Sequence, residues 1–188
     1  MGALRLREQM TIERILRATA EVVCELGLQR MTVALIIERA AVSRATFYQH
    51  FDNGDDAYRR AVALAGDSLE AAIEAGRRSE GTWEERLRGL LIATLAAVAE
   101  EPAFGGLCLL HAYGRPEAWS PYHPILIEPL TAVLRSGREE MGAGWPPHTE
   151  DFIACGILSV LADRLRHAGV PALEGLTDEL VELVCCWR

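Results

Sequence analysis

Helical periodicity is the feature that most constrains the fold of this chain. Apolar residues recur at every third or fourth position along most of the sequence, whereas the period-two alternation typical of strands is rare. The pattern therefore predicts an all-α protein of about nine helices. The predicted helices cover residues 11–26, 32–39, 43–49, a long segment from 53, 83–101, 104–111, 124 or 129–141, 150–167 and 177–187.

Start and stop signals support several of these boundaries. Thr11 can cap the first helix, and Gly27 can end it in a left-handed conformation. Thr82 is followed three residues later by Glu85, a capping-box spacing that predicts where the fifth helix begins. Two starts remain open for the seventh helix, because Pro129 would kink it if it began at Pro124.

Charge is distributed unevenly along the 188 residues. Residues 1–60 hold nine Arg and eight Asp or Glu, a balance of +1, and residues 61–188 hold ten Arg and nineteen Asp or Glu, a balance of -9. The two parts sum to the net charge of -8. A polyanion would be tolerated only by the N-terminal part and repelled by the remainder.

The composition also indicates where the protein works. The longest charge-free run spans 13 residues, 102–114, which is too short for a membrane-spanning helix of about 20 residues. The N-terminus is interrupted by charges and does not resemble a leader, so we expect a soluble, cytoplasmic protein. The five cysteines are scattered and odd in number, which favours reduced thiols, with a redox-sensing Cys185–Cys186 pair as the alternative.

The stretch "MTVALIIERAAVSRATFYQHFDN", residues 31–53, predicts two short helices joined by a tight turn. The first helix offers Val33, Ile36 and Ile37 to a core, and Val42 can fill the corner between the helices. Ser43 can cap the second helix with its hydroxyl, and Phe47 can pack inward one turn later. This is the pattern of a helix-turn-helix unit, over about residues 32–51.

The outward face of the second short helix suits the major groove of DNA. Arg44 can present a two-pronged donor to guanine, and Thr46 can meet a base or a phosphate. Tyr48 and His50 can donate to phosphate oxygens, as can backbone N–H groups at a helix start. The predicted DNA-binding residues are Thr32, Ser43, Arg44, Ala45, Thr46, Tyr48, Gln49 and His50.

These residues give a family resemblance over about residues 10–65. "RILRATAEVVCELGLQRMTVALIIERAAVSRATFYQHF" resembles the DNA-binding domain of the TetR (tetracycline-repressor) family of bacterial transcriptional regulators, and "AVSRATFYQHF" is its most specific part. The chain departs from the family pattern in three places. Ala41 replaces the usual turn glycine, Ile37 replaces an alanine, and Gly54 replaces a lysine that contacts phosphate. Acidic residues at positions 52, 55 and 56 either repel DNA or cap the next helix.

The resemblance implies a two-part organisation. Residues 1–52 would form a helix-turn-helix DNA-binding domain, and residues 53–188 a helical domain that binds an effector and forms a homodimer. It also implies a repressor released from operator DNA by a small, largely apolar effector. Candidate effector-lining residues are Trp83, Phe104, Cys108, His111, Tyr113, Trp119, Tyr122 and Phe152. Candidate dimer residues on the last two helices are Phe152, Cys155, Gly156, Ser159, Leu180, Val184 and Trp187.

Two other classes of function stay open at this stage. The chain could be an interaction protein that keeps the fold without binding an operator. It could also be an enzyme that uses Cys108, His111 and His123, which could together hold a metal ion. No nucleophile elbow, phosphate-binding glycine loop or paired-carboxylate site supports an enzyme, so we expect no catalytic residues, metal or cofactor.

Overall fold

The computed structural model describes residues 2–78, 80–111, 123–169 and 175–186. All regular elements in these ranges are helical, which confirms the predicted all-α class. The α-helices, numbered here in chain order, are α1 Gly2–Leu26, α2 Val33–Ala40, α3 Arg44–His50, α4 Gly54–Arg77, α5 Trp83–Glu100, α6 Pro102–His111, α7 Glu128–Met141, α8 Thr149–Ala168 and α9 Leu176–Cys185. A 3₁₀ turn covers Leu28–Arg30, and a π-helical turn covers His123–Ile127.

Side-chain caps fix the starts of four helices. Each cap oxygen accepts the backbone N–H three residues later, which would otherwise lack a partner. The caps are Thr32, Ser43, Asn53 and Thr82 for α2, α3, α4 and α5. The last is the predicted capping box, because Glu85 also accepts from the backbone N–H of Thr82.

The first helix begins earlier than predicted. Thr11 lies inside α1, and its hydroxyl donates to the carbonyl of Arg7 at 2.9 Å instead of capping a helix start. Residues 5–10 contain good helix formers, so the helix extends to Gly2 and absorbs the segment before Thr11. Gly27 does end α1 with a positive φ of 81°, but its ψ of 153° is extended and not left-handed helical.

Pro129 determines how α7 begins. The proline lies in the first turn of α7, where its missing N–H costs no helical hydrogen bond. The chain enters through the π-helical turn His123–Ile127, a wider local winding that accommodates the proline ring. The two predicted starts are therefore joined into one continuous helical segment.

Helix α4 connects the N-terminal helices with the rest of the molecule. It packs on α1, α5 and α6, and its buried residues include Ala57 and Ala61 in the first half and Leu69 and Ile73 in the second. At Gly76 an added Cβ would lie 2.9 Å from the Cβ of Ala93, so α4 and α5 approach closely at that point. No helix in the described ranges is both long and apolar enough to cross a membrane.

Candidate nucleic-acid interface

The turn between α2 and α3 depends on a left-handed residue. Ala41 has φ 49° and ψ 49°, and the N–H of Val42 donates to the carbonyl of Ile37 at 3.1 Å. This hydrogen-bond pattern ends a helix in a Schellman-type cap, in which glycine is the favoured left-handed residue. An alanine in this conformation carries strain of about 1–2 kcal/mol because its Cβ crowds the backbone.

The inner face of α3 anchors the helix in the core. Phe47 is completely buried, and its ring centroid lies 5.4 Å from that of Phe51, which directly follows the helix. Tyr48 meets the edge of Phe47 at a centroid distance of 5.4 Å, yet half of its surface stays exposed. The aromatic pair at the end of the sequence motif therefore divides into one core residue and one surface residue.

The outer face of α3 presents most of the predicted DNA-binding residues to solvent. Arg44 forms no ion pair with any other described residue, so its guanidinium is available to a ligand. Thr46 is half-buried and its N–H and hydroxyl both meet the hydroxyl of Ser43, at 2.9 and 2.8 Å. These two residues thus stabilise the start of the helix. The exposed predicted residues are Thr32, Ser43, Arg44, Ala45, Tyr48 and Gln49.

His50 lies in a different environment from the other predicted residues. Its side chain is 13% exposed, and Nδ1 lies 4.0 Å from the carboxylate oxygen Oε1 of Glu8 on α1. The extension of α1 beyond Thr11 places this carboxylate there, which the sequence interpretation had not anticipated. The imidazole is therefore turned toward α1 and away from the exposed residues of α3.

Among the three acidic residues around Gly54, the carboxylate of Asp56 contacts neighbouring residues. Asp56 accepts the N–H of Asp52 at 3.3 Å, and its own N–H donates to Asn53 Oδ1 at 2.9 Å. The sequence left open whether these acidic residues repel DNA or cap the next helix. The contacts of Asp56 show that it caps the start of α4. A Cβ added at Gly54 would meet Met31 Cε at 3.4 Å, an ordinary contact, so the position has room for a side chain.

Charged contacts hold α2 against α1. Arg39 donates to Glu25 at 2.6 Å and to Glu21 at 3.2 Å. The hydrogen bonds from Arg39 lower the pKa of Glu25 below its ordinary value. Together with the buried Ile36, these contacts hold α2 in place beside α3.

The N-terminal motif matches a known protein family. Residues 15–56 match the family model described as bacterial regulatory proteins, tetR family. The matched segment runs from α1 to the start of α4 and contains the whole helix-turn-helix unit. The match therefore supports the resemblance seen in the sequence over this N-terminal part. No curated protein matches the sequence closely enough to add to it.

Solved structures of TetR-type regulators share the fold. PfmR from Thermus thermophilus is 23% identical, with a TM-score of 0.72, and the match covers 91% of this chain and 93% of that chain. The fatty acid degradation regulator FadR from Bacillus halodurans is 18% identical, with a TM-score of 0.67 and coverages of 93% and 94%. FadR from Bacillus subtilis in complex with stearoyl-CoA is 18% identical, with a TM-score of 0.63 and coverages of 92% and 96%.

The residues expected to line an effector pocket do not form one group. Trp83 and Phe104 are 4% and 7% exposed and Cys108 is fully buried, all within the main core. Trp83 lies directly against α7, where a Cβ at Gly137 would be 2.6 Å from its Cδ2 atom. Phe152 is 68% exposed on α8, apart from these core residues. The side chains of His111, Tyr113, Trp119 and Tyr122 lie outside the described residues.

The predicted dimer residues divide between a surface and a core. Phe152, Gly156 and Ser159 are exposed on α8, and Cys155 is half-buried beside them. Leu180 and Val184, in contrast, are 4% and 1% exposed, because α9 packs on α5 of the same chain. The expectation that these two face a second subunit was wrong. Trp187 lies outside the described residues.

The Cys108, His111 and His123 alternative gains no support from the described side chains. The side chains of both histidines lie outside them, and within the described part no group of three His, Cys, Asp or Glu residues could hold a metal ion. The thiol of Cys24 also suits no redox role, since burial and the nearby Glu25 and Glu21 raise its pKa to about 12. None of the five cysteines, all of which lie in the described ranges, forms a disulfide bond.

A surface cleft between α4 and the start of α7 was not anticipated from the sequence. It encloses about 780 Å³, and its lining carries four carboxylates and one guanidinium. Ile73 and Pro129 line both this cleft and a small apolar void between α5 and α8. The charged lining residues are Asp67, Glu70, Glu74, Arg77 and Glu128. The acidic spacing of 67, 70 and 74 on one helix face was visible in the sequence, but its apposition to Glu128 was not.

Proposed function

We propose that this protein is a dimeric, ligand-responsive regulator that binds operator DNA through α3 and represses transcription. The observation that carries the proposal is the outer face of α3, where Arg44, Tyr48 and Gln49 are exposed above a fully buried Phe47. A rigid helix with an exposed polar face is the element that fits a major groove. We propose residues 1–52 as the DNA-binding domain and residues 53–188 as the effector and dimer domain.

The roles within α3 follow from the side chains that the fold leaves available. Arg44 is the proposed base-reading residue, because two parallel guanidinium N–H groups match O6 and N7 of guanine. Tyr48 is the proposed phosphate contact, since its ring is held by a T-shaped contact with Phe47 at a centroid distance of 5.4 Å. Thr46 and Ser43 position the start of the helix, and His50 acts through its contact with α1.

A binding titration with Arg44→Ala tests this proposal. The probe is a fluorescein-labelled duplex covering the DNA that flanks the protein's own gene, and anisotropy is measured at several salt concentrations. Wild-type affinity should fall linearly on a log–log plot with salt, because bound phosphates release counterions. Arg44→Ala should weaken specific binding about 10- to 100-fold, the usual value of one two-pronged contact to guanine.

Arg135→Ala is the matched control, since Arg135 is an equally exposed arginine on α7 of the acidic body. It should bind the duplex as the wild type does. Unchanged affinity of Arg44→Ala for every duplex tested would show that α3 is not the reading helix. The alternative of a fold that has lost operator binding predicts no salt-dependent specific binding by the wild type either.

A homodimer is supported by the exposed face of α8. Phe152 and Val160 are large apolar residues that are 68% and 38% exposed, and the smaller Gly156 and Ser159 lie between them. A symmetric contact through such a face buries the same apolar surface on both copies. The dimer would present two α3 helices, which must lie about 34 Å apart to read successive major grooves.

The cleft beside α4 supports a proposal about the effector. One structural neighbour is described as a complex with stearoyl-CoA, a ligand with a polyanionic head. The cleft of this chain instead carries Asp67, Glu70, Glu74 and Glu128 against the single Arg77, which repels anions. We propose an uncharged or cationic effector with an apolar portion that inserts past Ile73 and Pro129 toward the void.

Tetraphenylphosphonium and stearoyl-CoA are the probes that separate the two effector classes. The proposal expects tetraphenylphosphonium to release the labelled duplex and stearoyl-CoA to have no effect. Glu70→Gln should weaken the response to the cation without changing DNA affinity, because its exposed carboxylate belongs to the cleft. Release by stearoyl-CoA alone would overturn the proposed effector class.

A further inference from the structure

Arg60 connects the bridging helix α4 to the end of α3. It lies in the second turn of α4, and its Nη1 donates to the carbonyl oxygen of His50, the last residue of α3, at 2.8 Å. The last carbonyls of a helix lack donors within the helix. A guanidinium there gives a charge-assisted hydrogen bond and also interacts favourably with the negative end of the helix dipole.

The same guanidinium makes a second contact at this junction. Its central carbon lies 4.4 Å from the ring centroid of Phe51, which is 2% exposed. Phe51 in turn packs on Phe47, the residue that anchors the inner face of α3. A planar cation over an aromatic ring is attracted by the π-electrons, and two contacts made by one rigid group fix its orientation.

We propose that Arg60 is a positioning residue that sets the orientation of α3 relative to α4 through its contacts with the His50 carbonyl and the Phe51 ring. This inference rests on the proposed function of α3. Arg60 holds α3 from the α4 side, whereas the contact from the α1 side is the 4.0 Å approach of Glu8 to His50. Helix α4 also packs on α5, so Arg60 belongs to the helix that joins the C-terminal helices to α3.

The test uses Arg60→Met and Arg60→Lys in the full-length protein, with Arg59→Met as the matched control. Arg59 is the adjacent arginine on α4, and its side chain is 74% exposed. It contacts the Asp56 carboxylate and the Asp55 carbonyl of its own helix. Affinity for the labelled flanking duplex is measured at several salt concentrations. Amide hydrogen exchange of residues 44–51 is measured without DNA, and circular dichroism verifies the helical content of each variant.

If Arg60 positions α3, three outcomes are expected. Arg60→Met should weaken specific binding about tenfold or more, the usual effect of losing a hydrogen bond to a charged group, and should leave the salt slope unchanged. Arg60→Lys should restore little, because an ammonium lacks the flat fork that meets both the carbonyl and the ring. Amide exchange of residues 44–51 should speed up in both variants and remain at the wild-type rate in Arg59→Met.

Two results would contradict the positioning role of Arg60. Rescue by lysine together with a salt slope that falls by about 0.9 per subunit in Arg60→Met would show a phosphate contact and overturn the positioning role. Unchanged exchange in residues 44–51 would overturn it as well, and that measurement needs no DNA. If the wild type bound no duplex in a salt-dependent way, the proposed function would fail while the exchange result still decided the role of Arg60.

Discussion

Ala41 occupies a backbone conformation that favours glycine, with φ 49° and ψ 49°. Ala41→Gly should relieve about 1–2 kcal/mol of strain and lose about 0.4–1 kcal/mol through the more flexible unfolded chain. We therefore expect a net gain of about 0.5–1 kcal/mol in the free energy of unfolding, measured by urea denaturation. Ala40→Gly, one residue earlier inside α2, should destabilise the protein by about 1 kcal/mol. A loss of stability in Ala41→Gly would show that the turn is not left-handed in solution.

Gly54 lies at the start of α4, where the resemblance places a lysine that contacts phosphate. Gly54→Lys should strengthen binding of the flanking duplex, since the nearest atom to an added Cβ is Met31 Cε at 3.4 Å. Each new phosphate contact should steepen the salt slope by about 0.9, or about 1.8 for a dimer. Gly54→Gln adds a side chain of similar reach without the charge and should leave the slope at its wild-type value. An unchanged slope in Gly54→Lys would mean that this helix end does not face the duplex.

Local residue chemistry could be read from the sequence wherever cause and effect are close along the chain. The predicted caps at Ser43 and Thr82 depend only on a hydroxyl and the N–H three residues later, whereas the predicted cap at Thr11 failed because α1 continues to Gly2. The role of Arg60 could not be read in this way. Its partner is a backbone carbonyl ten positions earlier, and the contact exists only because α4 turns back past α3.

At the scale of the helix, the capping box of α5 makes stability depend on pH. The backbone N–H and hydroxyl of Thr82 donate to the Glu85 carboxylate and hold its pKa below the ordinary value of 4.5. The carboxylate therefore stabilises the fold above that value, and the stabilisation is lost as the pH falls through the lowered pKa. Glu85→Gln should reduce stability at neutral pH and make the melting temperature less sensitive to acid.

A double-mutant cycle checks this assignment. Melting temperatures by circular dichroism are compared between about pH 6 and pH 3 for the wild type, Thr82→Ala, Glu85→Gln and the double variant. Thr82→Ala should remove only the part that depends on the hydroxyl, because the backbone N–H of residue 82 still donates to Glu85, and the double variant should lose no more than Glu85→Gln alone. Additive losses in the acid-sensitive part would show that the carboxylate and the threonine stabilise the fold independently.

The helices were predicted better than the surfaces against which they pack. Apolar periodicity located the helices of the body, but it did not distinguish a helix side that meets the same chain from one that meets another. Leu180 and Val184 have the spacing of an interface and yet pack on α5, while Phe152 has the chemistry of a core residue and is exposed. Both outcomes depend on the relative placement of helices far apart in sequence, which a local pattern does not encode.

For the whole molecule, the charge distribution and the proposed dimer through α8 would together favour one orientation on DNA. Residues 1–60 carry a balance of +1 and residues 61–188 a balance of -9, so the duplex is attracted at one end and repelled by the body. A dimer formed through α8 would keep both acidic bodies together and leave both α3 helices for the duplex. The arrangement thus links operator binding to the integrity of one apolar face.

Gly156→Glu separates the stability of the subunit from the stability of the dimer. A Cβ at Gly156 would meet nothing within 4 Å in the isolated chain, so a side chain fits without strain. Glutamate is a better helix former than glycine by up to about 1 kcal/mol, which should stabilise the subunit. Two glutamates on a symmetric apolar contact would instead be desolvated close to one another, so the dimer should dissociate.

Sedimentation equilibrium at micromolar concentration decides the outcome. The wild type should sediment as a dimer, and Gly156→Glu as a monomer with a helical content at least equal to that of the wild type. Gly144→Glu is the matched control, because an added Cβ there also meets nothing within 4 Å and the residue lies in the loop between α7 and α8. It should remain a dimer. A Gly156→Glu variant that stays dimeric would show that the subunits contact each other through another surface. The distance between the two α3 helices would then not be set by α8.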